Sequence, residues 1–197
     1  MIRVCPSIAS CDVMNLEYTA KLLEQQYHHI HADIEDGNYI NNITFGMKVL
    51  KGIRRTVCCG ISVHLMVTDP LQYLEDIVDI GPEIVFFHPD CIRYPSLVID
   101  SFARKGIRMG LAFNPACGIS EYEYLMSEKI DSVLIMMCEP DGHGQAYIGQ
   151  MEKKIQYCVQ QGWKTWVDGA VTDALLERME NLNVQSVVMG RAVFEKM

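Results

Sequence analysis

Short apolar runs and amphipathic stretches alternate along almost the whole chain. Eight runs rich in Val, Ile, Phe or Met, each bounded by Gly, Pro, Asn or Asp, predict strands over residues 3–8, 29–34, 60–67, 83–88, 108–113, 132–137, 165–168 and 186–189. Runs such as Glu83-Ile-Val-Phe-Phe and Ser132-Val-Leu-Ile-Met-Met are almost continuously apolar, which suits strands buried on both faces, as in parallel sheets. Between them, amphipathic segments predict helices over 16–26, 47–55, 70–80, 96–105, 121–128, 151–161 and 173–182. Leu71, Leu74, Ile77 and Val78 show the i, i+3, i+6, i+7 spacing of one buried helix face. Gly106 and Gly162 stand where helix-ending glycines do.

Eight strands alternating with seven helices predict a parallel α/β fold, and eight strands close a (β/α)8 TIM barrel. Residues 1–197 fit one such domain. A doubly wound sheet is the weaker alternative, because no G-x-G-x-x-G follows the first strand. The sequence stops a few residues after the eighth strand, so the barrel is expected to lack its usual final helix. The uncovered flank makes a homo-oligomer an expected possibility.

Composition narrows the function classes. Apolar residues make up 49% and charged residues 21%, the balance of an ordinary globular protein. A net charge of −8 with no basic run argues against nucleic acid, yet leaves room for a small phosphorylated ligand held by backbone N–H groups. The eight cysteines form no C-x-x-C pair and no zinc-finger spacing. With no signal-peptide pattern and no apolar run of membrane length, they are expected to be reduced, buried residues of a cytoplasmic protein without membrane partners.

Active sites of such barrels lie at the C-terminal ends of the strands. Strand two ends His31-Ala-Asp33, with alternate residues facing the same way. Strand three carries His64 and strand seven ends in Asp168. Two imidazoles and two carboxylates at three strand ends can form a four-ligand site for zinc or iron(II). Taken singly, a histidine at a strand end is more often a hydrogen-bonded structural residue than a ligand, and an aspartate there is usually a cap or turn former. Glycines in the loops after strands six, seven and eight (Gly142, Gly144, Gly169 and Gly190) let backbone approach an anion, which is where barrels commonly hold phosphate. Taken singly, they too are simple turn residues.

These residues resemble ribulose-phosphate 3-epimerases nearly end to end. The motifs are Pro6-Ser-Ile, His31-Ala-Asp-Ile-Glu-Asp-Gly37, Asn42-Ile-Thr-Phe-Gly46, Val63-His-Leu-Met-Val67, Asn114-Pro-Ala, Glu139-Pro140, Gly144-Gln145 and Val167-Asp-Gly, with Gly190 near the end. The resemblance implies a (β/α)8 barrel with one divalent metal, zinc or iron(II) before manganese or cobalt, on His31, Asp33, His64 and Asp168. It implies that Asp33 and Asp168 are the two acid–base groups, one for each face of the carbon beside a ketone. It makes Ser7 a substrate contact; with His64, the loop residues Gly142, His143, Gly144, Gly169, Ala170, Gly190 and Arg191 are the further residues expected around a phosphorylated ketose. The metal would stabilise an enediolate as a Lewis acid, with no organic cofactor.

Several departures mark a divergent branch. Glu35 stands where the family has Met, and Asp141-Gly-His-Gly-Gln145 replaces G-F-G-G-Q. Ala170 replaces a second glycine and Arg191 a small residue, where Arg191 can offset Asp141 at the phosphate. The reaction type is expected to be 3-epimerisation of a pentulose or hexulose phosphate, with the particular ketose set by these departures. The alternatives are another enediolate reaction on the same barrel and a catalytically retired sugar-phosphate-binding protein.

Overall fold

The computed structural model describes residues 2–127, 130–140 and 146–196. Eight parallel strands appear in it: β1 (Arg3–Pro6), β2 (His29–Glu35), β3 (Gly60–Met66), β4 (Ile84–Phe87), β5 (Met109–Phe113), β6 (Ser132–Met136), β7 (Lys164–Asp168) and β8 (Ser186–Met189). They pair in the order β1-β8-β7-β6-β5-β4-β3-β2, and a parallel bridge between Ser7 and His31 joins β2 back to β1. The result is the eight-stranded barrel expected from the alternation of patterns. Helices α1 (Leu16–Tyr27), α2 (Met47–Thr56), α3 (Leu74–Ile80), α4 (Pro95–Arg104), α5 (Glu152–Gln160), α6 (Asp173–Asn181) and α7 (Arg191–Phe194) follow the strands.

Period-two alternation sorts the strand residues into two cores. Cys5, Ile84, Phe86, Leu134, Trp166 and Val188 belong to the cluster that fills the barrel. Their outward neighbours, such as Ile34, Leu65, Phe87 and Val167, pack with helix residues Leu23, Leu50, Ile53 and Ile77 in the larger cluster. Phe86 lies so close to β5 that a Cβ at Gly110 would sit 2.5 Å from its ring. Register then places the chemistry: Asp33 pairs with His64 across β2 and β3, and Met136 with Asp168 across β6 and β7.

The structure departs from the pattern in identifiable places. The segment expected to be helical at 121–128 forms 3-10 turns over Ser120–Leu125, with residues 128–129 outside the described set. Only Leu125 is buried there, so no apolar stripe holds an α-helix against the barrel. Segment 70–80 splits into a 3-10 turn over Pro70–Tyr73, capped by Asp69, and then α3, whose buried contacts are Ile77 and Ile80. The first strand ends at Pro6, and Ile8 already belongs to a 3-10 turn. Where no final helix was expected, α7 forms one turn with Val193 buried. No disulfide links the cysteines; Cys5, Cys138 and Cys158 are buried as expected, but Cys58 is exposed. Among the described residues no helix is long and apolar enough to cross a membrane.

Candidate active site

The inner face of β2 presents His29, His31, Asp33 and Glu35 in succession, and that of β3 presents Ser62, His64 and Met66. At the C-terminal ends, one ligand atom each from His31, Asp33, His64 and Asp168 lies within 4.8 Å of all the others. His31 Nε2 is 3.3 Å from Asp33 Oδ1. His64 Nδ1 is 3.1 Å from the same oxygen and 3.5 Å from Asp168 Oδ2. His31 Nε2 is fully buried yet has no hydrogen-bond partner, which a native interior rarely tolerates. An orphan nitrogen facing two carboxylates and a second imidazole fits a borderline divalent cation, and the two-nitrogen, two-oxygen donor set suits zinc or iron(II).

The second oxygen of each carboxylate is held by the chain. The Ser7 hydroxyl donates to Asp33 Oδ2, and the Gly169 N–H donates to Asp168 Oδ1 at 2.6 Å. Thr44 steadies the same stretch of β2 by donating to the Asp33 carbonyl at 2.6 Å. Burial pushes the Asp33 carboxyl up, but His31 and His64 outweigh it and hold it well below the usual range. Burial likewise pulls His64 down, while Asp168 and Asp33 more than compensate and raise it to about 9.

Behind the cluster lies a shell of polar groups. Ser62 Oγ is shared by His31 Nδ1 at 2.7 Å and His29 Nε2 at 2.9 Å. His64 Nε2 meets His88 Nε2 at 2.9 Å. Burial first, and then the neighbouring His64, hold His88 well below the ordinary histidine value.

A cavity of about 710 Å³ opens over the cluster. Of the residues singled out in the sequence, Ser7, Asp33, Asp168, Gly169, Ala170, Gly190 and Arg191 line it. His31 and His64 are fully buried and are not among its lining residues, so His64 serves the cluster side rather than the open side. Gly142, His143 and Gly144, with Asp141 beside them, lie outside the described residues. Among the described lining residues Arg191 is the one cation, against Asp33, Glu35, Glu139, Asp168 and Glu195.

Glu35 is neither turned away nor solitary. It lines the cavity beside Met66 and Met136 and accepts a 2.6 Å hydrogen bond from Asn42 Nδ2. Burial, and then Asp33 and Asp168, push its carboxyl up to about 7 against the opposing effects of Asn42 and His64. The turn after β7 also has local consequences. Gly169 has φ +93°, and a Cβ there would meet Cys138 Sγ at 2.5 Å. Ala170 follows with φ +55°, a left-handed conformation that costs a residue with a Cβ about 1–2 kcal/mol.

The sequence reading missed His88, Ser62 and His29, and it marked Asn42 without its bond to Glu35. His88 follows β4 as directly as Asp168 ends β7, so the strand-end rule extends to it. Ser62 and His29 sit two residues before a proposed ligand on the same strand face, a period-two signal. Asn42 comes from a loop, where no period points to a partner.

The model for the ribulose-phosphate 3 epimerase family matches residues 3–194. The chain is 32% identical over 204 residues to a chloroplastic ribulose-5-phosphate-3-epimerase of Arabidopsis thaliana, covering 98% of this chain and 72% of the relative. It is 31% identical over 201 residues to a ribulose-phosphate 3-epimerase of Escherichia coli strain K12, covering 98% and 89%. Among solved structures, a mutant tryptophan synthase alpha-subunit from Pyrococcus furiosus superimposes with a TM-score of 0.74 at 12% identity, over 98% of this chain and 88% of the other. That last likeness concerns the barrel fold alone.

Proposed function

The chain belongs to the ribulose-phosphate 3 epimerase family of isomerases, and from that premise we propose that it is a metal-dependent 3-epimerase of a pentulose or hexulose phosphate. The observation that carries this reading is the convergence of His31, Asp33, His64 and Asp168 beneath a cavity with Arg191 on its wall. Zinc or iron(II) suits the donor set best; manganese and cobalt are the other candidates. When bound, the ion supplies Lewis-acid stabilisation of negative charge on the substrate oxygens.

The chain's own residues do the rest. β1 and β8 separate Asp33 from Asp168 around the ring, so the two carboxylates approach a substrate carbon from different sides. One oxygen of each faces the histidines, which leaves Asp33 Oδ2 and Asp168 Oδ1 as the proton-carrying atoms. Ser7 and the Gly169 N–H orient those two oxygens. Arg191, with the turn at Gly169, Ala170 and Gly190, takes the phosphate. Glu35, fixed by Asn42, offers a carboxyl oxygen to a sugar hydroxyl and so helps to choose the ketose.

A metal assay tests the reading. Purified protein is expected to carry near-stoichiometric zinc or iron, lost in a His31→Ala/His64→Ala double variant together with epimerisation. A wild-type protein that epimerises ketose phosphates with no metal bound would contradict it.

A further inference from the structure

His88 is a buried imidazole that takes no direct part in the chemistry above, yet its place is closely determined. It follows β4 and is 0% exposed. Its Nε2 is 2.9 Å from Nε2 of His64, whose other nitrogen faces Asp33 and Asp168. Only one proton can lie between two ring nitrogens at that distance. A His64 that gives Nδ1 to a cation is unprotonated there and carries its proton on Nε2, so Nε2 of His88 must be the acceptor. The His88 proton then sits on Nδ1, a fully buried atom with no hydrogen-bond partner. An unpaired buried donor costs about 1–3 kcal/mol.

A second ring also packs against His88. Tyr39 lies against it with ring centroids 4.9 Å apart and planes 34° apart. The Tyr39 hydroxyl donates to Asp90 Oδ1 at 2.9 Å and accepts from Asn114 Nδ2 at 2.6 Å. Strand ends β4 and β5 and the loop after β2 thus fix one imidazole against a proposed metal ligand.

We propose that His88 is a positioning residue that accepts the Nε2–H of His64 and locks it in the tautomer presenting Nδ1 to the divalent cation. Groups behind histidine ligands commonly play this part, and their loss weakens metal binding about 10- to 100-fold. Here the acceptor is an imidazole, which orients the ligand without adding a third negative charge beside Asp33 and Asp168. The inference rests on the metal-site reading above, and the test separates the two.

Zinc affinity is measured by chelator competition on wild type, His88→Leu and His88→Gln, and the His64 ring is examined by nitrogen-15 NMR in the zinc-loaded wild type. The expected result is zinc binding weakened about 10- to 100-fold in His88→Leu and largely recovered in His88→Gln, whose amide oxygen accepts the same proton. In the wild type the NMR is expected to show His64 protonated at Nε2 and ligated through Nδ1, a readout that depends on no variant folding. Equal zinc affinity in wild type and His88→Leu, or ligation through Nε2, would overturn the role of His88 alone. A wild type that binds no zinc, iron(II), manganese or cobalt would overturn the metal-site reading and this role with it.

Discussion

Glu35 stands two residues beyond Asp33 on the same inner face of β2, and its neighbours set its charge. Burial and the two aspartates raise it from 4.5 to about 7, so the folded protein holds a proton there that the unfolded chain has released. Its contribution to stability is complete below pH 4.5 and is lost as pH rises through 7. We therefore expect the urea midpoint of the metal-free wild type, measured across pH 4.5–8, to fall more steeply than that of Glu35→Gln. Parallel curves would contradict this environment for Glu35. The carboxyl itself was visible in the sequence as an acid beside the proposed bases. Its pairing with Asn42 was not, because a loop residue seven positions away carries no periodic signal. The four proposed ligands were easier, since alternation on a strand fixes which side chains share a face.

Strands were more legible than helices because each is buried on both faces and so written in apolar residues. Their ends were less so: Pro6 and Met66 close strands that the apolar runs extend by one or two residues. The segment at Ser120–Leu125 has helix-compatible residues but too little apolar surface to dock, and tertiary packing decides most short helices. Gly110 shows what no pattern reveals, because its importance depends on Phe86 in the neighbouring strand. A Cβ would lie 2.5 Å and 2.6 Å from Phe86 ring atoms and 3.0 Å from the Ser132 carbonyl oxygen. Phe86 itself packs edge-on against Trp166, leaving it little room to move. Gly110→Ala is expected to destabilise the protein by about 1–3 kcal/mol in urea unfolding, the usual cost of overpacking a core. An unchanged midpoint would mean that the barrel interior is looser than described.

At the scale of the whole molecule, closure of the ring turns separate strand ends into one site. β2 and β3 supply His31, Asp33 and His64 in register, β7 supplies Asp168, and β1 brings Ser7 onto Asp33 where the Ser7–His31 bridge joins the sheet. The barrel was legible from eight alternating units, and the resemblance of ordered motifs added the reaction class that spacing alone left open. Period two and the strand-end rule reach His29, Ser62 and His88 one by one, but their hydrogen bonds behind the proposed ligands exist only once β2, β3 and β4 lie side by side. The central claim is that Asp33 and Asp168 move a proton at the third carbon of a phosphorylated ketose. Incubating the metal-loaded protein in deuterium oxide with a panel of pentulose and hexulose phosphates tests it directly. The account predicts deuterium at that carbon in at least one member of the panel, and none with Asp33→Asn/Asp168→Asn. Protein that holds its metal yet exchanges no member of the panel would contradict the account and favour a sugar-phosphate-binding protein.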